Sequence, residues 1–306
     1  MAEAATEAGM RGVLGETLIG FPVADNKTPA EALAFTERFL ARFQNDALIT
    51  AAVAPHALYT NSDETLKACR ALANKYRAPL IIHLSETKKE NDDELAKRHT
   101  TPTKTLDDLG IWNGRSVAAH AVWVDEADMA ILKSRGVGLA HCPSSNMKLA
   151  SGVAPVTRML ALDLAVGLGP DGPAGSNNDF NMFEEMDLAA KLQKVTTMNP
   201  QALPAAQALE MATIRGARAL GMEKEIGSLE AGKRADLITV RIDSAHAQPL
   251  YDAVSQMVYA LKGSDVRDVM VNGKQVVRDG KILTLDEKAV LAKAAEYRVK
   301  VSASLK

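Results

Sequence analysis

The chain has 306 residues, with 36 Lys and Arg against 38 Asp and Glu, a formal net charge of −2 and 4% aromatic residues. Dispersed, balanced charge with few aromatics and no basic stripe argues against a nucleic-acid partner, and no apolar run reaches the roughly eighteen residues that a membrane helix requires. Cys69 and Cys142 have no framework spacing, and the N-terminal MAEAATEAGMRG lacks the basic start and apolar stretch of a secretory signal, so a cytoplasmic, reducing location is expected.

In chain order, short apolar runs near residues 10–15, 47–54, 79–84, 116–122, 136–142 and 165–170 predict strands. Between them, TPAEALAFTERFLARF, SDETLKACRALANKY and DEADMAILKSR carry apolar residues at helical spacing behind a Thr, Ser or Asp cap. Strands alternating with helices imply parallel βαβ units and an α/β class. After residue 183 the pattern becomes helical, through FEEMDLAAKLQKV and LPAAQALEMATIRGARALG. Residues 225–285 then hold short, Gly-punctuated strands, ADLITVRI and VRDVMVNGKQVVRDGK, the second with an Asn272-Gly273 hairpin turn. A C-terminal helix is expected in DEKAVLAKAAEYRVKV. The expected division is a unit of alternating strands and helices over 1–224, a small β element over 225–285 and a terminal helix over 286–306.

Four of the six histidines close apolar runs: His56 in AAVAPHALY, His83 in PLIIHLSE, His120 in SVAAHAVW and His141 in GVGLAHCPSSN. Asp171 closes another, LAVGLGPDG. These are the ends of buried parallel strands, where barrel enzymes keep their chemistry. His83 and Glu86, three residues apart in HLSE, can face one cavity, where an imidazole can bind a divalent metal and a carboxylate can move a proton to or from water. His120 can polarise a substrate group or orient the nucleophile, and Asp171 can ligate the metal and accept the water's proton. A single strand-end His is as often a hydrogen-bonded structural residue; the series, with its carboxylates, carries the functional reading. Trp123, three residues past His120, is a candidate for stacking on a ring, whereas His99 and His246 read as a solvated helix residue and a polar loop residue.

At GMRGVLG, APHALY, HLSET, AAHAVW, HCPSSNMKLASGVAPV, GPDGPAGSNNDFNMFEEM, MATIRGARALG and IGSLEAGKRADLITV the chain resembles the amidohydrolase superfamily. HCPSSNMKLASG and the Ser176-Asn177-Asn178-Asp179 run point to its branch of 5-methylthioadenosine/S-adenosylhomocysteine deaminases and triazine hydrolases. The resemblance implies a partial metal-dependent hydrolase barrel of the (β/α)8 TIM type over 1–224 and the C-terminal part of a small β-sandwich domain over 225–285. It implies His83 as a metal ligand, Glu86 as proton shuttle, His120 as the histidine at the attacked centre, Asp171 as metal ligand and base, and His56 as a substrate contact. Glu86, His120 and Trp123 join His56 in the expected substrate site. His141 either holds its loop or touches substrate, and Asn146 and Lys148 read as loop structure.

Two departures accompany the resemblance. The family's first barrel strand ends in a His-x-His pair that supplies two metal ligands, and no such pair occurs here. The opening AEAATEAGMRGVLG resembles the start of the third βα unit, so the barrel is expected to lack its first two strands and to bind its one divalent metal, zinc or iron, weakly through His83 and Asp171. Pro170 stands where the family has Thr before the aspartate, which stiffens that turn. The implied activity is hydrolytic deamination of a purine nucleoside-like small molecule: 5-methylthioadenosine, S-adenosylhomocysteine or adenosine to the inosine product and ammonia. The alternatives are another aminohydrolase or chlorohydrolase acting on a triazine or guanine-like ring, and a truncated barrel acting as a non-catalytic interaction protein. Open barrel edges favour a homo-oligomer.

Overall fold

In the computed structural model, which describes residues 1–304, six strands form one sheet in sequence order: β1 (Gly12–Leu18), β2 (Ile49–Pro55), β3 (Leu80–Leu84), β4 (Ser116–His120), β5 (Gly138–His141) and β6 (Val166–Leu168). Every pairing is parallel, and β1 and β6 form the edges. The crossovers carry the helices Pro29–Arg42, Asp63–Tyr76, Lys88–Arg98 with Pro102–Asp108, Glu126–Arg135, and Pro143–Lys148 with Val156–Ala161. Local chemistry starts these helices. Thr28, Ser62, Thr87 and Thr101 each accept a backbone N–H from three residues on, and Asp125 and Asp128 form a reciprocal capping box.

The strands are apolar because helices cover them. Leu80, Ile82 and Leu84 of β3 are buried in one core with Val53, Leu66, Leu106, Leu132, Leu139, Met159 and Val166. Each such side chain contributes about 1.5–3 kcal/mol by leaving water. At the amino end of β4, buried Arg70 donates from Nε to the Ile111 carbonyl (2.8 Å) and from Nη2 to Ser116 Oγ (2.7 Å). Burial brings its pKa down to about 10. This end of the sheet holds structure; the opposite, carboxyl end carries the strand-end histidines.

A second sheet of four antiparallel strands follows: β7 (Leu237–Val240), β8 (Val266–Val271), β9 (Lys274–Arg278) and β10 (Lys281–Ile282), in the order β10-β9-β8-β7. Between β8 and β9, Asn272 (φ 50°) and Gly273 (φ 79°) both take the positive φ of a type I′ turn, as the Asn-Gly pair predicts. Arg11 ties this sheet to β1 by a double contact with Asp236, Nε–Oδ2 at 2.5 Å and Nη2–Oδ1 at 3.0 Å. The closing helix, Glu287–Ser304, buries none of its residues. Cys69 and Cys142 are free and buried, and no helix among the described residues is long and apolar enough to cross a membrane. Two minor readings change. His99 is not inside its helix but ends it in the left-handed region (φ 58°), and His246 Nε2 bonds the buried Asp265 carboxylate at 2.8 Å.

Candidate active site

The carboxyl ends of the strands are laced together beyond the regular ladder. His56 N–H donates to Leu18 O (2.9 Å), His83 N–H to His56 O (3.1 Å), Ala121 N–H to Leu84 O (2.9 Å) and Gly169 N–H to His141 O (2.9 Å). The backbone beneath each of the four histidines and Asp171 is thereby held by a neighbouring strand. His56, His83 and His120 form a row, with ring centroids 4.9 Å apart for the first pair and 5.3 Å for the second, where the planes are nearly parallel at 16°. Strand alternation alone would not produce that row. The β3–β4 register pairs His120 with Leu84 and His83 with Ala119, so an unbroken β4 would send His120 to the face opposite His83. His120 instead takes φ 72°, with Ala121 at 47°, and its ring comes back over His83. Two successive left-handed non-glycine residues cost conformational energy and mark a constrained site.

Hydrogen bonds give each ring a defined tautomer. His83 Nδ1 lies 2.6 Å from the His56 carbonyl, which can only accept, so Nδ1 carries a proton and Nε2 is the nitrogen left for a ligand. His56 Nδ1 is 3.0 Å from Thr60 Oγ1, whose own hydroxyl donates to Ala57 O at 3.2 Å, which again leaves Nε2 bare. Burial lowers the pKa of His56, with His83 adding to the effect. Burial likewise lowers that of His120, against the opposing pull of Glu86. Both imidazoles are therefore neutral near pH 7.

Glu86 faces His120, with Oε2 3.8 Å from Nε2 and Oε1 3.4 Å from Ser151 Oγ. Its loop is fixed by Glu90, whose carboxylate accepts the backbone N–H of both Ser85 (3.0 Å) and Glu86 (2.8 Å). Asp171 (φ 64°) accepts from Ser145 Oγ at 2.7 Å and from the Gly172 N–H at 2.6 Å. Burial pushes the Asp171 carboxyl up, but these hydrogen bonds, led by the Ser145 hydroxyl, outweigh it and hold it below the usual carboxylate range. Pro170 leaves the aspartate within this cradle, and the Pro170 carbonyl accepts from Asn177 Nδ2 at 2.7 Å. Trp123 uses its indole N–H on the Ser151 carbonyl (2.7 Å), so only its ring face is free for a ligand. His141 is buried, and among the described residues neither of its ring nitrogens has a hydrogen-bond partner. An open groove of about 490 Å³ between Val156–Ala161 and Met182–Thr197 contains none of these groups.

The Amidohydrolase family pattern matches residues 1–276. The chain belongs to the amidohydrolase family. The amidohydrolase is 43% identical over 294 residues to a 5-methylthioadenosine/S-adenosylhomocysteine deaminase of Thermodesulfovibrio yellowstonii, covering 96% of this chain and 67% of that protein. An adenosine deaminase structure from Xanthomonas campestris, with bound zinc, superposes with a TM-score of 0.95 at 36% identity, over 99% of this chain and 69% of that one. A triazine hydrolase variant superposes at 0.89 with 23% identity, covering 96% and 67% of the two chains, which speaks to the barrel-type fold alone. The amidohydrolase thus spans about two thirds of the length of the relatives it matches.

In this amidohydrolase, His83 and Asp171 fit a divalent metal in kind: an imidazole whose other nitrogen is fixed by a carbonyl, and an ionised carboxylate. Among the described residues no group of three or more His, Cys, Asp or Glu is arranged to hold an ion, and a catalytic zinc takes at least three protein ligands. His83 and Asp171 are two donors, fewer than that number. Sequence reasoning missed the residues that contact the site side chains or fix their loops. Glu90 had a signal in TKKE, a capping-box spacing in which Thr87 caps Glu90 N–H while the Glu90 side chain reaches back to the loop. Ser145, Asn146 and Thr60 had none.

Proposed function

We propose that this amidohydrolase catalyses metal-dependent hydrolytic deamination of a purine nucleoside-like substrate, of the kind named for its relatives: 5-methylthioadenosine, S-adenosylhomocysteine or adenosine. The observation that carries the reading is Glu86 Oε2 at 3.8 Å from His120 Nε2, on a strand-end row that also holds His83. Asp171, kept ionised, takes a proton from the attacking water as its oxygen bonds the amine-bearing ring carbon. Glu86 delivers a proton to the adjacent ring nitrogen. His120 Nε2 accepts a hydrogen bond from the hydroxyl of the tetrahedral centre, that hydroxyl's proton returns to Glu86 as the C–N bond breaks, and the proton held by Asp171 leaves on ammonia. His56 and the face of Trp123 line the nucleoside. A divalent metal, when bound, supplies Lewis acidity and lowers the pKa of water; His83 and Asp171 are the residues here that would hold it, weakly if by themselves, zinc ahead of iron. The open edges of β1 and β6 also suit pairing with a second copy.

The test is metal content by mass spectrometry on the purified 306-residue chain, alongside ammonia release from the three nucleosides with and without added zinc. Turnover that Glu86→Gln abolishes while metal content is unchanged supports the reading. A folded chain that releases no ammonia with zinc present rejects it and favours a non-catalytic barrel.

A further inference from the structure

His120 Nδ1 lies 2.9 Å from Asn146 Oδ1, and the two residues are 2% and 1% exposed. An amide oxygen carries no proton, so Nδ1 donates and Nε2, the atom facing Glu86, is left bare. We propose that Asn146 is a positioning residue of the site: it selects the Nδ1–H tautomer of His120 and holds the ring over His83 with its Nε2 lone pair toward Glu86 and the reacting centre. The inference rests on the hydrolytic reading above and extends it to a residue that touches neither water nor substrate.

Three features carry it. First, the backbone at His120 and Ala121 is left-handed, so the strand does not dictate the ring's direction and a side-chain tether must. Second, the backbone of Asn146 is held on both sides. Its N–H donates to Cys142 O (2.9 Å), its carbonyl accepts from Ser151 N–H (2.8 Å), and the helix Pro143–Lys148 that carries it is anchored where Ser144 N–H meets Glu185 Oε2 at 3.2 Å. Third, the adjacent Ser145 donates to Asp171. One helical turn therefore orients both the histidine and the aspartate, and errors in its placement would disturb the two together. The tautomer has a chemical consequence. A proton on Nε2 would point at the Glu86 carboxylate and tie up the shuttle, whereas a bare Nε2 leaves Glu86 free and can accept a hydrogen bond from the reacting centre.

The experiment is nitrogen–proton correlation NMR on the full chain with 15N-labelled histidine, assigning His120 by its loss in His120→Gln, together with steady-state deaminase kinetics. Wild type should show the Nδ1–H pattern at His120. Asn146→Leu, of similar volume but without an acceptor, should convert it to Nε2–H or a mixture and lower kcat by about 10–100-fold with KM little changed. Asn146→Asp, which keeps the acceptor, should retain Nδ1–H and recover much of kcat. Nε2–H at His120 in wild type, which an amide turned the other way would select, overturns the proposal, as does an unchanged tautomer in Asn146→Leu. If Asn146→Leu does not fold, Asn146→Ser and the wild-type tautomer decide alone. The ring signals require no turnover, so a chain inactive on every nucleoside removes the functional reading without touching the tautomer result.

Discussion

Acid should unfold this protein from an unusual place, the unpartnered imidazole of His141. Complete burial, with a smaller push from His120, takes its pKa from 6.5 down to about 3. In the unfolded chain the same ring titrates at its ordinary value. Between the two values the unfolded chain binds a proton that the folded chain refuses, so stability falls as pH falls, by about 1.4 kcal/mol per pH unit. By about pH 4.5, some two units below the ordinary value, the loss attributable to His141 is about 3 kcal/mol; it levels off only near the folded pKa. A loss of that size is a large part of a typical domain's about 5–15 kcal/mol. The figure does not depend on the folded pKa as long as that stays below the lower pH. Urea titrations of wild type and His141→Leu at about pH 6.5, 5.5 and 4.5 measure it. Leucine has similar bulk and no nitrogens to leave unsatisfied, so the variant should be near wild-type stability at neutral pH and should lose about 3 kcal/mol less on acidification. His56 and His120 titrate in the same direction but remain in both proteins, so the difference between the curves isolates His141. Parallel stability–pH curves would refute the reasoning and mean that the ring is protonated or solvated in the folded state.

Ser145→Ala removes the donor at 2.7 Å from Asp171, so the carboxyl pKa should rise and the acid limb of the pH–rate profile should move to higher pH; kcat/KM should fall by about 10–100-fold. Glu90→Ala strips the acceptor from the Ser85 and Glu86 N–H groups and should lower stability by about 1–3 kcal/mol in urea unfolding, with Glu90→Gln, which retains one acceptor, losing less. Arg70→Met leaves the buried Ile111 carbonyl and Ser116 hydroxyl short of a donor. It should cost about 2–4 kcal/mol, yet leave KM unchanged at low temperature, because it acts at the amino end of the sheet.

The sequence by itself determined what depends on near neighbours. Apolar runs of strand length, capped amphipathic stretches and the Asn272-Gly273 pair are signals within a few residues, and they were enough for the parallel sheet, for the helices Pro29–Arg42, Asp63–Tyr76 and Glu126–Arg135 between its strands and for the antiparallel hairpin, but not for Pro143–Lys148, whose Asn146 and Lys148 read as loop structure. They were also enough to put His56, His83, His120, His141 and Asp171 at strand ends, because the end of an apolar run is itself a local feature. The tertiary structure alone decided what those side chains do. Whether His120 joins His83 depended on a left-handed residue that interrupts the β4 alternation, and the several-fold enrichment of His in that conformation does not single out one histidine among four strand-end candidates. Which nitrogen each ring exposes depended on acceptors far along the chain: the His56 carbonyl for His83, 27 residues away, and Asn146 for His120, 26 residues away. His141, alike in pattern to the others, met no partner and became a buried neutral ring. The physical reason is that periodicity encodes which face of an element is covered, whereas a hydrogen bond within 3 Å is set by register, by the path of the loops and by the packing of several elements at once.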